Sequence, residues 1–347
     1  MATYEPAPVP NLADKTKPQG TDLTPKQKEA LDKVLAHFSD PDYKLPQVDA
    51  ENSTLSDEEK FWLSYECMLR YLRATKWAGA EQAIKRLEDT LRWRRQFGLY
   101  DKIKAEYIEP EAVTGKMITY GFDVDGKPAL YLVPSRQNTT ENQRQIEFTF
   151  WILERVIDSM GPGIESLNLM INFADRARNP SLSTSRTVLN ILQTHYPEHL
   201  GRAIIINVPF LINAFFKLIT PFVDPVTRVK MRFNPQVVQE GIFAPNAVWK
   251  EFGGDVDFVY EHEKYWPALN KMCTERKQRH MERWRQLGGT VGLKEWDTRR
   301  EVTSNGQAVE PKVEVPLDDE LETEINGESE KVTAIEEITE VSVGIAA

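Results

Sequence analysis

The chain has 347 residues and a formal net charge of −10, from 53 Asp and Glu against 43 Lys and Arg. The charge is concentrated: residues 301–347 hold 13 acids and two lysines, a net of −11, so residues 1–300 stand at +1. A near-neutral body argues against nucleic-acid binding, which needs a basic excess to neutralise phosphates. Two cysteines, Cys67 and Cys273, exclude a disulfide scaffold or a cysteine-ligated zinc site.

Residues 1–22, with Pro6, Pro8, Pro10, Pro18 and Gly20, read as a flexible lead-in, and Met1 to Pro10 lacks the basic and apolar regions of a secretory signal. Thr24 before Pro25 is an N-cap with proline at the first helical position, predicting a helix to about Phe38. Ser56-Asp57-Glu58-Glu59 is a capping box opening a helix through Phe61, Leu63, Met68, Leu69 and Leu72. Ala80, Ile84, Leu87 and Leu91 mark a further helix, closed by Gly98. Residues 23–105 are thus expected to form a helical module.

From about residue 116 the period changes. Met117 to Phe122 and Ala129 to Val133 flank Asp123-Val124-Asp125-Gly126, a hairpin signal. Glu141 to Met160 reads as a long helix and Thr184 to Thr194 as another. Leu167 to Phe173 and Ala203 to Asn207 are continuous apolar runs suited to central strands, and Arg232 and Phe233 fall in a last strand. This alternation predicts an α/β domain with a mostly parallel sheet over residues 110–265. A C-terminal helix, about Tyr260 to Leu287, is expected to dominate residues 266–300, and the acidic, aromatic-free 301–347 tail is expected to be disordered.

Ala203 to Val223 carries one charge, Lys217, in 21 residues, which is long enough for a spanning helix. Pro209 interrupts it, so a short strand followed by an apolar helix from Phe210 to Ile219 fits better. Motifs for bond chemistry are missing. Gly161-Pro162-Gly163 follows a helix, whereas a phosphate-cradling loop follows a strand. Pro197 lies between His195 and His199 and no third ligand is evident, so no metal site is expected. The polar outliers are Glu198, Asp224, Thr227 and Lys230, which flank the apolar segment, where charges are costly unless paired or bound to a polar ligand. A helix cap and a solvated lysine would account for them without any ligand.

Four stretches, in order, resemble the CRAL-TRIO lipid-binding family and, within it, the fungal phosphatidylinositol transfer proteins. They are Leu69-Arg70-Tyr71-Leu72-Arg73-Ala74-Thr75-Lys76-Trp77; Tyr196-Pro197-Glu198-His199-Leu200-Gly201 running into Ile205-Ile206-Asn207-Val208-Pro209-Phe210; Phe222-Val223-Asp224-Pro225-Val226-Thr227-Arg228-Val229-Lys230; and Phe252-Gly253-Gly254. The resemblance implies a helical N-terminal bundle followed by an α/β lipid-binding domain with a gate helix. Here the gate falls on Phe210, Leu211, Phe215, Phe216 and Ile219, a segment apolar almost all round.

By the same resemblance, Glu198, Thr227 and Lys230 hold the inositol phosphate headgroup. Lys230 offers a charge to phosphate, Thr227 a hydroxyl, and Glu198 an acceptor for inositol hydroxyls or a partner for Lys230. The family's second arginine in the helix end is Thr75 here, and Lys76 is the candidate replacement. Relatives that exchange phosphatidylcholine use a Ser-x-Thr pair and a tyrosine where this chain aligns Leu167, Leu169 and Leu130. These leucines are expected to line an apolar cavity that favours sterol over phosphatidylcholine, as in the family's drug-resistance branch. Tyr131 lies one residue from restoring a hydroxyl.

The expectation is a non-enzymatic, monomeric protein of the cytoplasm that carries phosphatidylinositol, with sterol as second cargo. It would touch membrane surfaces transiently, at the endoplasmic reticulum, lipid droplets or cell periphery, with no cofactor, metal or nucleic-acid partner. The alternative is a lipid-sensing regulator that presents phosphatidylinositol to a lipid kinase. Arg276, Lys277, Arg279, Arg283 and Arg285 offer a basic face for anionic lipid or, interleaved with Glu275 and Glu282, a plain solvated helix. The tail would oppose landing on anionic membranes if it lay close to the gate.

Overall fold

The structure is a computed structural model that describes residues 18, 20, 22–140, 143–174, 182–208 and 225–300. The expected gate segment, with Phe210, Leu211, Phe215, Phe216 and Ile219, lies outside the described residues, as do Asp224 and the acidic tail.

Local rules set the first helices. Helix α1 (Pro25–Ser39) opens on a reciprocal capping box: Thr24 Oγ1 accepts the Gln27 amide and Gln27 Oε1 accepts the Thr24 amide. Ser56 and Glu59 do the same for α2 (Asp57–Trp62). The single helix expected through Leu72 is in fact two. Leu63 leaves the helical region with ψ 53°, and Ser64 Oγ accepts the Cys67 amide at 3.0 Å to start α3 (Tyr65–Ala74). The apolar period runs on across the break, which is why the pattern alone hides it. Helix α4 (Ala80–Phe97) stops at Gly98, left-handed with φ 86°. Leu31, Val34, Phe38, Met68, Leu72, Leu87 and Leu91 bury together as the core of these helices.

After α5 (Ala105–Ala112) come five strands in the order β1-β2-β3-β4-β5: Met117–Phe122, Pro128–Leu132, Leu167–Asn172, Leu200–Ile206 and Met231–Phe233. β1 and β2 form the expected antiparallel hairpin, and β2 to β5 run parallel. Helix α6 (Gln143–Asp158) connects β2 to β3, α7 (Leu182–His195) connects β3 to β4, and α8 (Pro225–Val229) precedes β5. Fully buried Asp123 ties the hairpin to the sheet. Its Oδ1 accepts the Asp125 and Lys127 amides at 2.9 and 2.8 Å, and its Oδ2 accepts Asn168 Nδ2 and Arg202 Nη1, both at 2.8 Å.

Helices α9 (His262–Gln286) and α10 (Glu295–Arg299) complete the body. On α9, Arg276 donates to the Ser159 carbonyl and Lys277 pairs with Glu58, each at 2.8 Å, whereas Arg279 and Arg285 are exposed. The five basic residues therefore do not make one continuous face. Burial pushes the Cys67 and Cys273 thiols up to about 12, so neither is a thiolate at neutral pH. Among the described residues no helix is long and apolar enough to cross a membrane.

Candidate functional site

The parallel strands begin along one edge, where the chain makes a tight approach. Leu167 at the start of β3 pairs with Leu200 at the start of β4, and the next pair is Asn168 with Arg202, which leaves Gly201 as an extra residue in β4. A Cβ on Gly201 would sit 3.0 Å from the Leu167 carbonyl oxygen, so this bulge favours glycine. Glu198, two residues before the strand, is left-handed with φ 64°.

Its carboxylate pairs with Arg73 Nε rather than with Lys230. Arg73 Nη2 also reaches both oxygens of Glu165, at 3.1 and 2.9 Å. Arg70 Nη1 reaches Glu165 at 3.0 Å, and Arg70 Nη2 reaches Glu295 of α10 at 2.7 Å. Five charges of alternating sign thus run Glu295, Arg70, Glu165, Arg73, Glu198, from a buried helix interface to the edge of the sheet.

Lys230, just before β5, converges on the same edge: its ammonium donates to the Leu200 carbonyl at 2.6 Å. Its amide donates to the Thr227 carbonyl at 3.1 Å, placing Thr227 one helical turn away on α8. Thr75 spends its hydroxyl on the Tyr71 and Leu72 carbonyls at the end of α3, at 3.1 and 3.0 Å. Lys76 follows, exposed and left-handed with φ 56°, its amide on the Arg73 carbonyl.

The leucines predicted to line a cavity sit on one face of the sheet. Register runs Leu130, Leu169, Ala203, Met231 in one row and Leu132, Ile171, Ile205, Phe233 in the next, so eight apolar residues span four parallel strands on the same side. Leu167 stands on that side too, one step nearer the charged edge, and is buried in the main core. Leu169, Ile171 and Met231 are only half-buried and Phe233 is 47% exposed. On the opposite side Tyr131, Met170 and Ile204 are each 0% exposed. Tyr131 stacks there on Trp249, with ring centroids 3.8 Å apart, so its hydroxyl does not reach the leucine face.

The two histidines take separate partners. His195 stacks on Trp93 at 4.3 Å with Nδ1 2.9 Å from Thr90 Oγ1, and His199 Nδ1 is 3.0 Å from the Glu165 carbonyl. Burial, reinforced by the Arg86 charge, lowers His195 to about 4; burial and Arg70 lower His199 to about 3. Both rings are therefore neutral at pH 7, and Nδ1 of His199 is the donor to the carbonyl. Beside them, burial raises Glu154, but the bidentate Arg94 at 2.8 and 3.0 Å and the Tyr196 hydroxyl outweigh it and hold the carboxyl at about 2. Among the described residues no group of three or more His, Cys, Asp or Glu is arranged to hold a metal ion.

Sequence reasoning passed over Arg73 and Glu165. Two arginines three apart on an otherwise apolar helix end, Arg70 and Arg73, were the available signal, because such charges need partners when buried.

Helices followed by a hairpin-edged parallel sheet, with one apolar face ending in a charged edge, make this a mixed α/β module. Residues 112–254 match the CRAL/TRIO domain and residues 30–89 the CRAL/TRIO N-terminal domain. The chain belongs to the CRAL-TRIO family. It is 42% identical over 297 residues to a CRAL-TRIO domain-containing protein of Schizosaccharomyces pombe, covering 85% of this chain but only 29% of that protein. It is 38% identical over 300 residues to the phosphatidylinositol transfer protein PDR17 of Saccharomyces cerevisiae, covering 80% of this chain and 84% of that one. The phosphatidylinositol transfer protein CSR1 of Eremothecium gossypii is 23% identical over 270 residues, covering 72% of this chain and 58% of that one.

Proposed function

We propose that this chain is a lipid carrier that takes up one phosphatidylinositol molecule, without altering it chemically, and moves it between membranes. The observation that carries the reading is the amphipathic floor. Eight apolar side chains span β2 to β5 on one side, and the same strands begin at an edge where Glu198 and Lys230 converge. A strand of seven residues such as β4 spans roughly 20 Å at about 3.3 Å per residue, the scale of an extended acyl chain. Headgroup at the charged edge and chains along the floor is the placement that leaves neither end mismatched. The names of the relatives PDR17 and CSR1 support the same cargo.

Energetics dictate how such a carrier works. Two acyl chains expose roughly thirty CH₂ groups, at about 0.8 kcal/mol each, if they cross water unaided. Loading therefore has to occur in contact with a bilayer, and the apolar segment Phe210 to Ile219 is the proposed point of entry. The leucines at 130, 167 and 169 offer no hydroxyl to a choline phosphate, which supports sterol as the second cargo. Mass spectrometry of lipid co-purifying with the protein tests both statements. Phosphatidylinositol and sterol are expected; phosphatidylcholine alone would overturn them.

A further inference from the structure

Glu198 is an awkward residue with which to grip a ligand. Its side chain is long and 35% exposed, and its backbone is left-handed, a conformation that costs a non-glycine residue about 1 kcal/mol or more. Such a conformation persists only where the surroundings fix it. Here they do so twice, and both ties lead to Glu165. Its carboxylate holds the Arg73 guanidinium that pairs with Glu198, and its backbone carbonyl accepts Nδ1–H of His199, the next residue in the chain.

We propose that Arg73 and Glu165 are the positioning residues of the headgroup site, setting the carboxylate of Glu198 where inositol hydroxyls can donate to it. This rests on the reading of Glu198 as a headgroup ligand. Arginine suits the task because its planar fork serves two carboxylates in a fixed mutual orientation, which a lysine ammonium cannot. Glu165 is in turn fixed by Arg70, itself buried and tied to Glu295, so the chain of charges is rigid at its inner end and presents one acceptor at its outer end.

The consequence is for selectivity between headgroups rather than for lipid uptake as such. Unlabelled phosphatidylinositol and phosphatidylglycerol with identical acyl chains would compete against pyrene-labelled phosphatidylinositol on the full-length protein. In Arg73→Gln and, separately, Glu165→Gln, the preference for phosphatidylinositol should fall by about tenfold, the scale on which supporting-shell residues act. Arg73→Lys should restore part of it. Circular dichroism melts establish that each variant is folded, and a purely structural role would weaken both competitors equally. Wild-type preference in Arg73→Gln and Glu165→Gln, with the preference lost in Glu198→Ala, overturns the positioning role alone. Preference retained in Glu198→Ala as well overturns the headgroup assignment and this inference with it.

Discussion

Leu130 and Leu169 are direct register partners across β2 and β3, while Tyr131, one residue on, lies on the far side of the sheet against Trp249. A shift by one residue would exchange the two faces entirely, and the stacking of Tyr131 fixes which one is presented. The leucine face is thus free of tyrosine hydroxyl at this position.

Hydroxyls introduced on this face should admit phosphatidylcholine. The double variant Leu167→Ser, Leu169→Thr is expected to take up phosphatidylcholine from vesicles, which the wild type should not, and to lose sterol. Leu169 is half-buried and should tolerate the change, but Leu167 is 3% exposed and its truncation should cost about 2–4 kcal/mol. Lipid extraction followed by mass spectrometry reads the outcome.

Asp123 should be among the costliest single positions in the α/β half. Asp123→Ala removes an acceptor of four hydrogen bonds and leaves the Asn168 amide and the Arg202 guanidinium without it, so about 3 kcal/mol of stability should be lost. Urea denaturation gives the difference directly.

Gly254→Ala should be similarly damaging for a steric reason. A Cβ there would lie 2.0 Å from the Val248 carbonyl oxygen, which is backbone and cannot turn aside. A loss of about 3 kcal/mol is expected from the forced shift, measurable by thermal melting.

These positions show how far the sequence was legible. The caps at Thr24, Ser56 and Gly98 act within a few residues of chain and could be read directly. Asp123 was visible as a turn residue but not as a clamp, because Asn168 and Arg202 lie 45 and 79 residues away. The same holds at the site. Glu198 and Lys230 stood out as charges beside an apolar run, whereas Arg73 is joined to Glu165 across 92 positions and to Glu198 across 125. Composition and period carry no trace of pairings at that range. The break at Ser64 was missed for the opposite reason, since a continuous apolar stripe covers it.

Stability should fall as the pH drops below 6.5. His199 and His280, each lowered to about 3 chiefly by burial, resist protonation when folded but accept it near 6.5 when unfolded. Their contribution is complete above pH 6.5 and declines below it, by about 1.4 kcal/mol per pH unit for each proton. Glu66 opposes this. Burial and the neighbouring Glu295 charge raise it to about 7, so its folded form gains a proton between pH 7 and 4.5 that the unfolded form does not. Its contribution is therefore complete below about 4.5 and lost as the pH rises through 7. Glu66→Gln should remove the opposing effect and steepen the decline between pH 6.5 and 5, as read from urea midpoints.

The proposed function places the headgroup of phosphatidylinositol on Glu198 and Lys230, at the charged edge of an apolar floor. Transfer of labelled phosphatidylinositol between vesicles by Glu198→Ala and Lys230→Ala tests it most directly. Both variants are expected to melt within a few degrees of the wild type and to transfer phosphatidylinositol at less than about one-tenth of its rate, the loss of a charge-assisted hydrogen bond to the ligand. Wild-type rates in both folded variants would contradict this headgroup assignment.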